Sequence, residues 1–156
     1  MAEAIVTKTT EPLRIAEASS TAPGFGHANL GPVFDRLLPQ VFSAIVDEGA
    51  KPGISVAWYE EPDADGSVVL HAGFTIADQP VRGRDGIRVV ELPAVEVAST
   101  IHRGSMDSIE ATYLALVSWI ERSGFHLVGR SRELYHEWND EDSSQCVTEL
   151  QIPISR

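Results

Sequence analysis

Apolar residues recur along the chain at two spacings, which predict strands and helices in a repeating order. In the closing segment CVTELQIPIS (146–155) they occupy every second position, which is typical of a half-buried strand. Over 29–49 and again over 105–124 they recur at every third or fourth position, which predicts two amphipathic helices. Gly49 and Gly124 are expected to end these helices.

Two further signals concern the helices themselves. Pro39 lies inside the first helical pattern, and it is predicted to kink or split that helix because proline removes a backbone donor and clashes with the preceding turn. Ser105 is the expected N-cap of the second helix. The apolar stripes are Leu30, Val33, Phe34, Leu37, Val41 and Ile45 in the first helix, and Ile109, Tyr113, Leu116, Val117 and Ile120 in the second.

The same order of elements occurs twice. One strand is predicted before each helix, and two strands joined by a polar turn are predicted after it. The strands that precede the helices are 7–20 and 87–102, and the hairpins are 54–77 and 126–155. We therefore predict a single α+β domain over 1–156, built from a tandem β-α-β-β repeat with pseudo-twofold symmetry. This domain is predicted to have an antiparallel sheet with helices on one side and a ligand cleft between the repeats. Its parts are repeat one (about 4–77), a linker (78–86) and repeat two (about 87–155).

Strand alternation sorts the hairpin residues into two faces. Alignment of the hairpins from their ends matches Tyr59 with Tyr135 and His71 with Glu149. The predicted core face holds Leu70, Ala72, Phe74, Ile76, Thr148, Leu150, Ile152 and Ile154, together with Trp58 and Leu134. The opposite face is predicted to hold His71, Gly73, Glu149, Gln151, Tyr59 and Tyr135. If the repeats pack about a pseudo-twofold axis, this second face lines a cleft with aromatic walls around one carboxylate.

Composition and charge argue against several classes of function. The formal net charge of -11 argues against direct binding to nucleic acid, and no apolar run is long enough to span a membrane. No secretory signal is visible at the start, so a cytoplasmic location is expected. The single Cys146 and the scattered histidines show no zinc spacing, and no glycine-rich phosphate loop occurs, so we expect neither a metal nor another cofactor.

The segments SWIERSG, ELYHE, DEDSS and TELQIPIS, with the tandem β-α-β-β order, resemble the GyrI-like, or AraC-type effector-binding, domain family. Members of that family occur as drug-sensing domains of multidrug-responsive transcription regulators and as stand-alone proteins. The resemblance implies a pocket between the repeats in which Glu149 faces bound ligands, often lipophilic cations, among aromatic rings. Some stand-alone members are implicated in hydrolysing cyclopropane-bearing genotoxins, which implies a role in toxin resistance.

The chain departs from the regulator pattern at two points. No helix-turn-helix segment precedes the first strand, so a stand-alone domain is expected rather than direct gene regulation. His71 stands where the pseudo-symmetric glutamate would be, and it either pairs with Glu149 or gives the pocket an acid and a base.

The candidate ligand-binding residues are Glu149, Tyr135, Tyr59, His71, Trp119, Gln151, Glu133 and Trp138. For Glu149 the functional interpretation is a pocket carboxylate whose pKa is raised by apolar surroundings, and the structural alternative is a strand glutamate in water or paired with arginine. The tyrosines either clamp a flat cation or are ordinary strand residues, and each tryptophan alone is most simply explained by packing.

Three functions follow from these candidates. The leading hypothesis is capture of a hydrophobic, cationic or planar small molecule by a monomer or homodimer. The first alternative is a hydrolase of strained electrophiles in which Glu149 activates water and Tyr135 serves the leaving oxygen. The second alternative is an acidic module that binds a basic protein partner.

Overall fold

The computed structural model describes residues 4–156 and shows an α+β fold whose order of elements confirms the repeat. The helices are α1 (His27–Asp47) and α2 (Ile109–Arg122). Strands within the described residues are β1 (Val6–Thr9), β2 (Leu13–Ala22), β3 (Ser55–Tyr59), β4 (Val68–Thr75), β5 (Arg88–Leu92), β6 (Glu96–Arg103), β7 (His126–Leu127), β8 (Arg132–Glu137) and β9 (Val147–Ser155). The order β-α-β-β appears as β2-α1-β3-β4 and again as β6-α2-β8-β9.

Three of the predicted strands are each divided in two. The segment 7–20 forms β1 and β2, the segment 87–102 contributes β5 and β6, and the segment 126–137 forms β7 and β8. Pro12 and Pro93 lie in the first two breaks, and a proline has no N–H to give to a strand ladder. The prediction of one continuous strand before each helix is therefore wrong.

The chain divides into two compact units, and the boundaries between them fall at the breaks in the first two divided strands. The first-repeat unit is Pro12–Pro93 and therefore includes β5. Its sheet has the order β3-β4-β2-β5, with antiparallel neighbours throughout. Helix α1 packs on β2 and β4 and buries Val33, Leu37, Val41, Ala44 and Ile45 against them.

The second-repeat unit is Ala94–Arg156 together with the described residues before Pro12. Its sheet has the order β1-β6-β9-β8, again antiparallel, and β7 pairs with the end of β9. Helix α2 packs on β6, and the predicted apolar stripe is confirmed as core. That core is formed by Ala98, Leu116, Ile120, Leu150, Ile152 and Ile154.

The helix ends agree with the sequence, whereas the predicted split at Pro39 is wrong and the predicted kink stays a prediction. Ser105 caps a short 3₁₀ turn that leads into α2, and its hydroxyl accepts a hydrogen bond from the N–H of Asp107. Gly49 and Gly124 follow the two helices with positive φ angles of 81° and 82°. Helix α1 is not split at Pro39, because the proline lies on its exposed side, where water can bond the carbonyl that loses its partner.

The predicted cleft between the repeats stays a prediction. Neither helix among residues 4–156 combines the length and apolar character that crossing a membrane requires.

Candidate functional site

The register of the first hairpin places its aromatic residues differently from the prediction. Trp58 is paired with His71, and Tyr59 is paired with Leu70. Residues directly opposite each other on antiparallel strands project to the same face. Trp58 therefore shares the face of His71, and Tyr59 lies on the α1 face, where its ring meets Phe25 edge-on at 5.5 Å. The predicted faces of Trp58 and Tyr59 are wrong.

The second hairpin shows the same reversal. Leu134 is paired with Glu149, and Tyr135 is paired with Thr148. Leu134 thus projects to the Glu149 face, whereas Tyr135 lies on the α2 face with Thr148. The predictions for these two residues are wrong, and so is the pairing of Glu149 and Tyr135 as one catalytic couple, because the sheet separates their side chains.

Glu149 lies at the centre of a dense hydrogen-bonded cluster on the sheet face opposite α2. The amine of Lys8 on β1 is 2.6 Å from Oε2, and Nε2 of His136 is 2.8 Å from Oε1. The hydroxyl of Ser99 and the amide of Gln151 each donate to Oε2 at 2.8 Å. The carboxylate is thus bound by four side chains of its own unit, one of which carries a full positive charge.

This cluster reverses the expected pKa of Glu149. Burial raises that pKa, but the hydrogen bonds outweigh burial and lower it from 4.5 to about 2. In decreasing order of effect, the donors are Gln151, Lys8, His136 and Ser99. The expectation of a raised pKa is wrong, and a carboxyl group that stays ionised down to such a low pH is a weak general base.

A second buried carboxylate, Glu133, lies on the α2 face of the same sheet. It is 4% exposed, and the Tyr113 hydroxyl of α2 donates to its Oε2 at 2.6 Å. The Tyr135 hydroxyl donates to Oε1. The ring of Trp138 stands edge-on to Tyr135 at 5.7 Å, is 51% exposed, and donates its N–H to Asp140. The predicted combination of a carboxylate and aromatic rings therefore exists around Glu133 rather than Glu149.

His71 belongs to a charged cluster in the first-repeat unit. Its Nδ1 is 3.1 Å from Glu17 and its Nε2 is 2.6 Å from Glu60, while Trp58 stacks on the ring at 5.0 Å with an interplanar angle of 3°. The hydrogen bond with Glu17 is the largest influence and raises the pKa of His71, burial opposes it, and Glu60 adds to the rise. Burial would raise the pKa of Glu17, but His71 and Arg88 lower it.

The remaining candidates have packing or supporting roles. Trp119 packs against the core of the second-repeat unit and stacks on Phe125 at 6.1 Å. Gln151 is buried and orients the Glu149 carboxylate. The structure thus gathers Glu149 with Gln151, and Glu133 with Tyr135 and Trp138, on opposite faces of one sheet.

Sequence reasoning missed the partners that complete each cluster. Tyr113 was assigned to the apolar stripe of the helix, although a tyrosine there also brings a hydroxyl toward the sheet. Lys8 and Ser99 lie on strands, and strand alternation could have shown which face of the sheet each side chain occupies. It could not have shown that they lie beside Glu149, because that depends on pairing between strands that are far apart in sequence. Glu17, Glu60, Arg88 and His136 were missed for the same reason.

Other features of the described residues give weaker indications of a site. A groove of about 380 Å³ beside α1 contains none of the predicted site residues and is lined by Leu38, Pro39, Phe42, Ser43 and Phe74. Cys146 is buried beside Asn139, whose N–H is 3.4 Å from its sulfur. Within 4–156, no group of three His, Cys, Asp or Glu side chains is arranged to hold a metal ion.

Solved structures share this fold at low sequence identity. The C-terminal domain of EcmrR is 20% identical with a TM-score of 0.79 over 98% of both chains. In the EcmrR–DNA complex, this chain spans only 58% of the length of EcmrR. SAV2435, solved with bound tetraphenylphosphonium, is 15% identical with a TM-score of 0.69, covering 98% of this chain and 94% of that one. A hydrolase from Listeria innocua is 11% identical with a TM-score of 0.64, covering 97% and 91%.

The structural likenesses establish the fold, whereas the family follows from the sequence. A search of curated proteins finds no match. The model of the GyrI-like small-molecule binding domain matches residues 15–155, nearly the whole chain. The chain therefore belongs to the family of GyrI-like small-molecule binding domains.

Proposed function

We propose that the chain captures a hydrophobic organic cation and that Glu133, Tyr135 and Trp138 form the binding centre. The observation that carries the proposal is the buried Glu133 carboxylate, which accepts hydrogen bonds from two phenol hydroxyls. Phenol hydroxyls donate to a carboxylate and hold its oxygens in place. The charge and the neighbouring rings together favour a cation with apolar substituents.

Glu149 is not part of this proposed centre. Its carboxylate already binds the Lys8 amine at 2.6 Å, and a ligand cation would have to compete with that internal cation. The nearby His136 and Gln151 hold the carboxylate further in place. These contacts support a structural role for Glu149.

Titration calorimetry with tetraphenylphosphonium, the ligand of SAV2435, tests the proposal. We expect Glu133→Gln to weaken binding about tenfold or more, because opposite charges about 6 Å apart attract by roughly 3 kcal/mol at an effective dielectric constant of about 20, and 1.4 kcal/mol is tenfold. Glu149→Gln is the matched control and should bind like the wild type. Neutral triphenylphosphine oxide should bind weakly and equally to all three proteins.

Two results would overturn this assignment. Equal affinity of wild type and Glu133→Gln for the cation would remove Glu133 from the site. A large loss in Glu149→Gln alone would move the site to the opposite face of the sheet. Thermal unfolding of each variant distinguishes a lost contact from a lost fold.

Hydrolysis at the same centre is the second candidate function. The Tyr135 phenol donates a hydrogen bond to the Glu133 carboxylate, so the two can act as a general acid and a general base. In that reaction Glu133 takes a proton from water, the hydroxide adds to a strained electrophile, and Tyr135 protonates the leaving atom. Incubation with a cyclopropane-bearing electrophile, followed by mass spectrometry, should then show turnover to a product heavier by one water. Return of the compound unchanged would leave capture as the function.

A further inference from the structure

His71 in the first-repeat unit has a carboxylate at each ring nitrogen. Nδ1 lies 3.1 Å from Oε1 of Glu17, and Nε2 lies 2.6 Å from Oε2 of Glu60. Carboxylates only accept hydrogen bonds, and a neutral imidazole has only one N–H to donate. Both contacts are therefore satisfied only when His71 carries two ring protons, since the neutral form would set a nitrogen lone pair against a carboxylate.

Two other histidines that make side-chain hydrogen bonds carry no such requirement. His102 has the Thr112 hydroxyl at 2.7 Å from Nδ1 and the Ser105 carbonyl at 2.9 Å from Nε2, and a neutral ring satisfies both. His136 contacts the carboxylate of Glu149 through Nε2 alone. His71 thus differs from both in the chemistry of its two partners.

The elements around His71 complete a charge-balanced group. Glu17 comes from β2, Glu60 follows β3, and Arg88 of β5 donates to the same Glu17 oxygen at 2.6 Å. Glu17 is 0% exposed, so its charge needs partners inside the protein. Protonated His71 and Arg88 balance the two carboxylates, whereas neutral His71 leaves one negative charge in excess. Trp58 stacks on the ring and favours its cationic form.

We propose that Glu17, His71 and Glu60 form a pH-sensitive lock that fastens the β3–β4 hairpin to β2. The lock is closed while His71 is doubly protonated and weakens when the ring loses a proton. It belongs to the first-repeat unit and is independent of the ligand proposed at Glu133.

The sign of the pH dependence follows from the contacts. His71 gains acceptors on folding, so its pKa is higher in the folded than in the unfolded protein. The stability that the lock contributes is complete below the unfolded-state pKa, roughly 6.5 for histidine, and is lost as the pH rises through the folded pKa. The loss thus occurs as the pH rises above the ordinary pKa of histidine.

Proton NMR of the histidine rings and thermal unfolding test the lock on the whole chain. The variants His71→Gln and His136→Gln assign the resonances and serve as a matched pair. We expect His71 to titrate above about 6.5, the ordinary value for histidine, and the melting temperature of the wild type and of His136→Gln to fall through the pH range of that titration. His71→Gln should melt lower at pH 6 and lack this fall.

Glu60→Gln provides a second variant that keeps the buried part of the cluster. Its position at the end of β3 is exposed, so the fold should survive, and the midpoint of His71 should shift to lower pH. A His71 midpoint at or below about 6.5 would overturn the proposal. An unchanged fall of the melting temperature in His71→Gln, or an unchanged His71 midpoint in Glu60→Gln, would do so as well.

Discussion

Replacing Glu149 with glutamine is expected to destabilise the protein at neutral pH and to have little effect in strong acid. The folded-state pKa of about 2 lies well below the ordinary value of 4.5. A difference of this size corresponds to about 3 kcal/mol of unfolding free energy at pH 7. Glutamine keeps the shape and can still accept from Ser99, so we expect a loss of about 2 kcal/mol.

The pH dependence separates charge from packing. A lowered folded-state pKa contributes stability that is present above the unfolded pKa of 4.5 and is lost as the pH falls toward 2. At pH 3 roughly half or less of the contribution should remain. Urea unfolding of wild type and Glu149→Gln, followed by tryptophan fluorescence between pH 7 and pH 3, gives the difference directly.

A substitution of the same kind at the surface supplies the control. Glu121→Gln lies on the exposed side of α2 and should change the unfolding free energy by less than about 0.5 kcal/mol at any pH. If Glu149→Gln costs as much at pH 3 as at pH 7, the loss arises from packing and the account of the cluster is wrong. A loss below about 0.5 kcal/mol at pH 7 would show that the stabilisation from the hydrogen bonds only equals the free energy lost by burying the charge.

Three further substitutions test the fold by the same urea assay. Gly73→Ala should cost about 3 kcal/mol or prevent folding, because its Cβ would lie 1.9 Å from the carbonyl oxygen of Ala16. Gly31→Ala lies inside α1, but the new Cβ would crowd the ring of Pro32, which offsets the gain in helix propensity, so we expect the unfolding free energy to change by less than about 1 kcal/mol. Ser105→Ala removes the acceptor of the Asp107 N–H and should cost about 1 kcal/mol.

The order of elements was predictable because it depends on local signals. Periodicity, the glycines after each helix and the Ser105 cap all act within a few residues of the element they define. The division of the segments 7–20 and 87–102 depends instead on where each half finds a partner. Pro12 and Pro93 were visible in the sequence, but each lies in an otherwise strand-like pattern, and only the pairing of β1 with β6 and of β5 with β2 makes them breaks.

The candidate site was less predictable, since its faces depend on register. Alternation fixes which residues of one strand share a face, but it does not relate that strand to its partner. The alignment from the hairpin ends assumed one register, and the true pairs, Tyr59 with Leu70 and Tyr135 with Thr148, reverse the faces of β3 and β8. The reversal on β8 moved Tyr135 from the carboxylate of Glu149 to that of Glu133.

The two hairpins share a carboxylate–imidazole contact, although the residue types at the matching positions differ. In the first, His71 on the inner strand contacts Glu60 at 2.6 Å; in the second, Glu149 at the matching position contacts His136 at 2.8 Å, so acid and base are exchanged. A buried charge of either sign needs compensation, and each unit draws the opposite charge from neighbouring strands. Comparing identities at these positions would therefore hide the likeness. The feature that the repeats share is a carboxylate–imidazole contact across the same pair of strands, which holds each hairpin together whichever strand carries the acid.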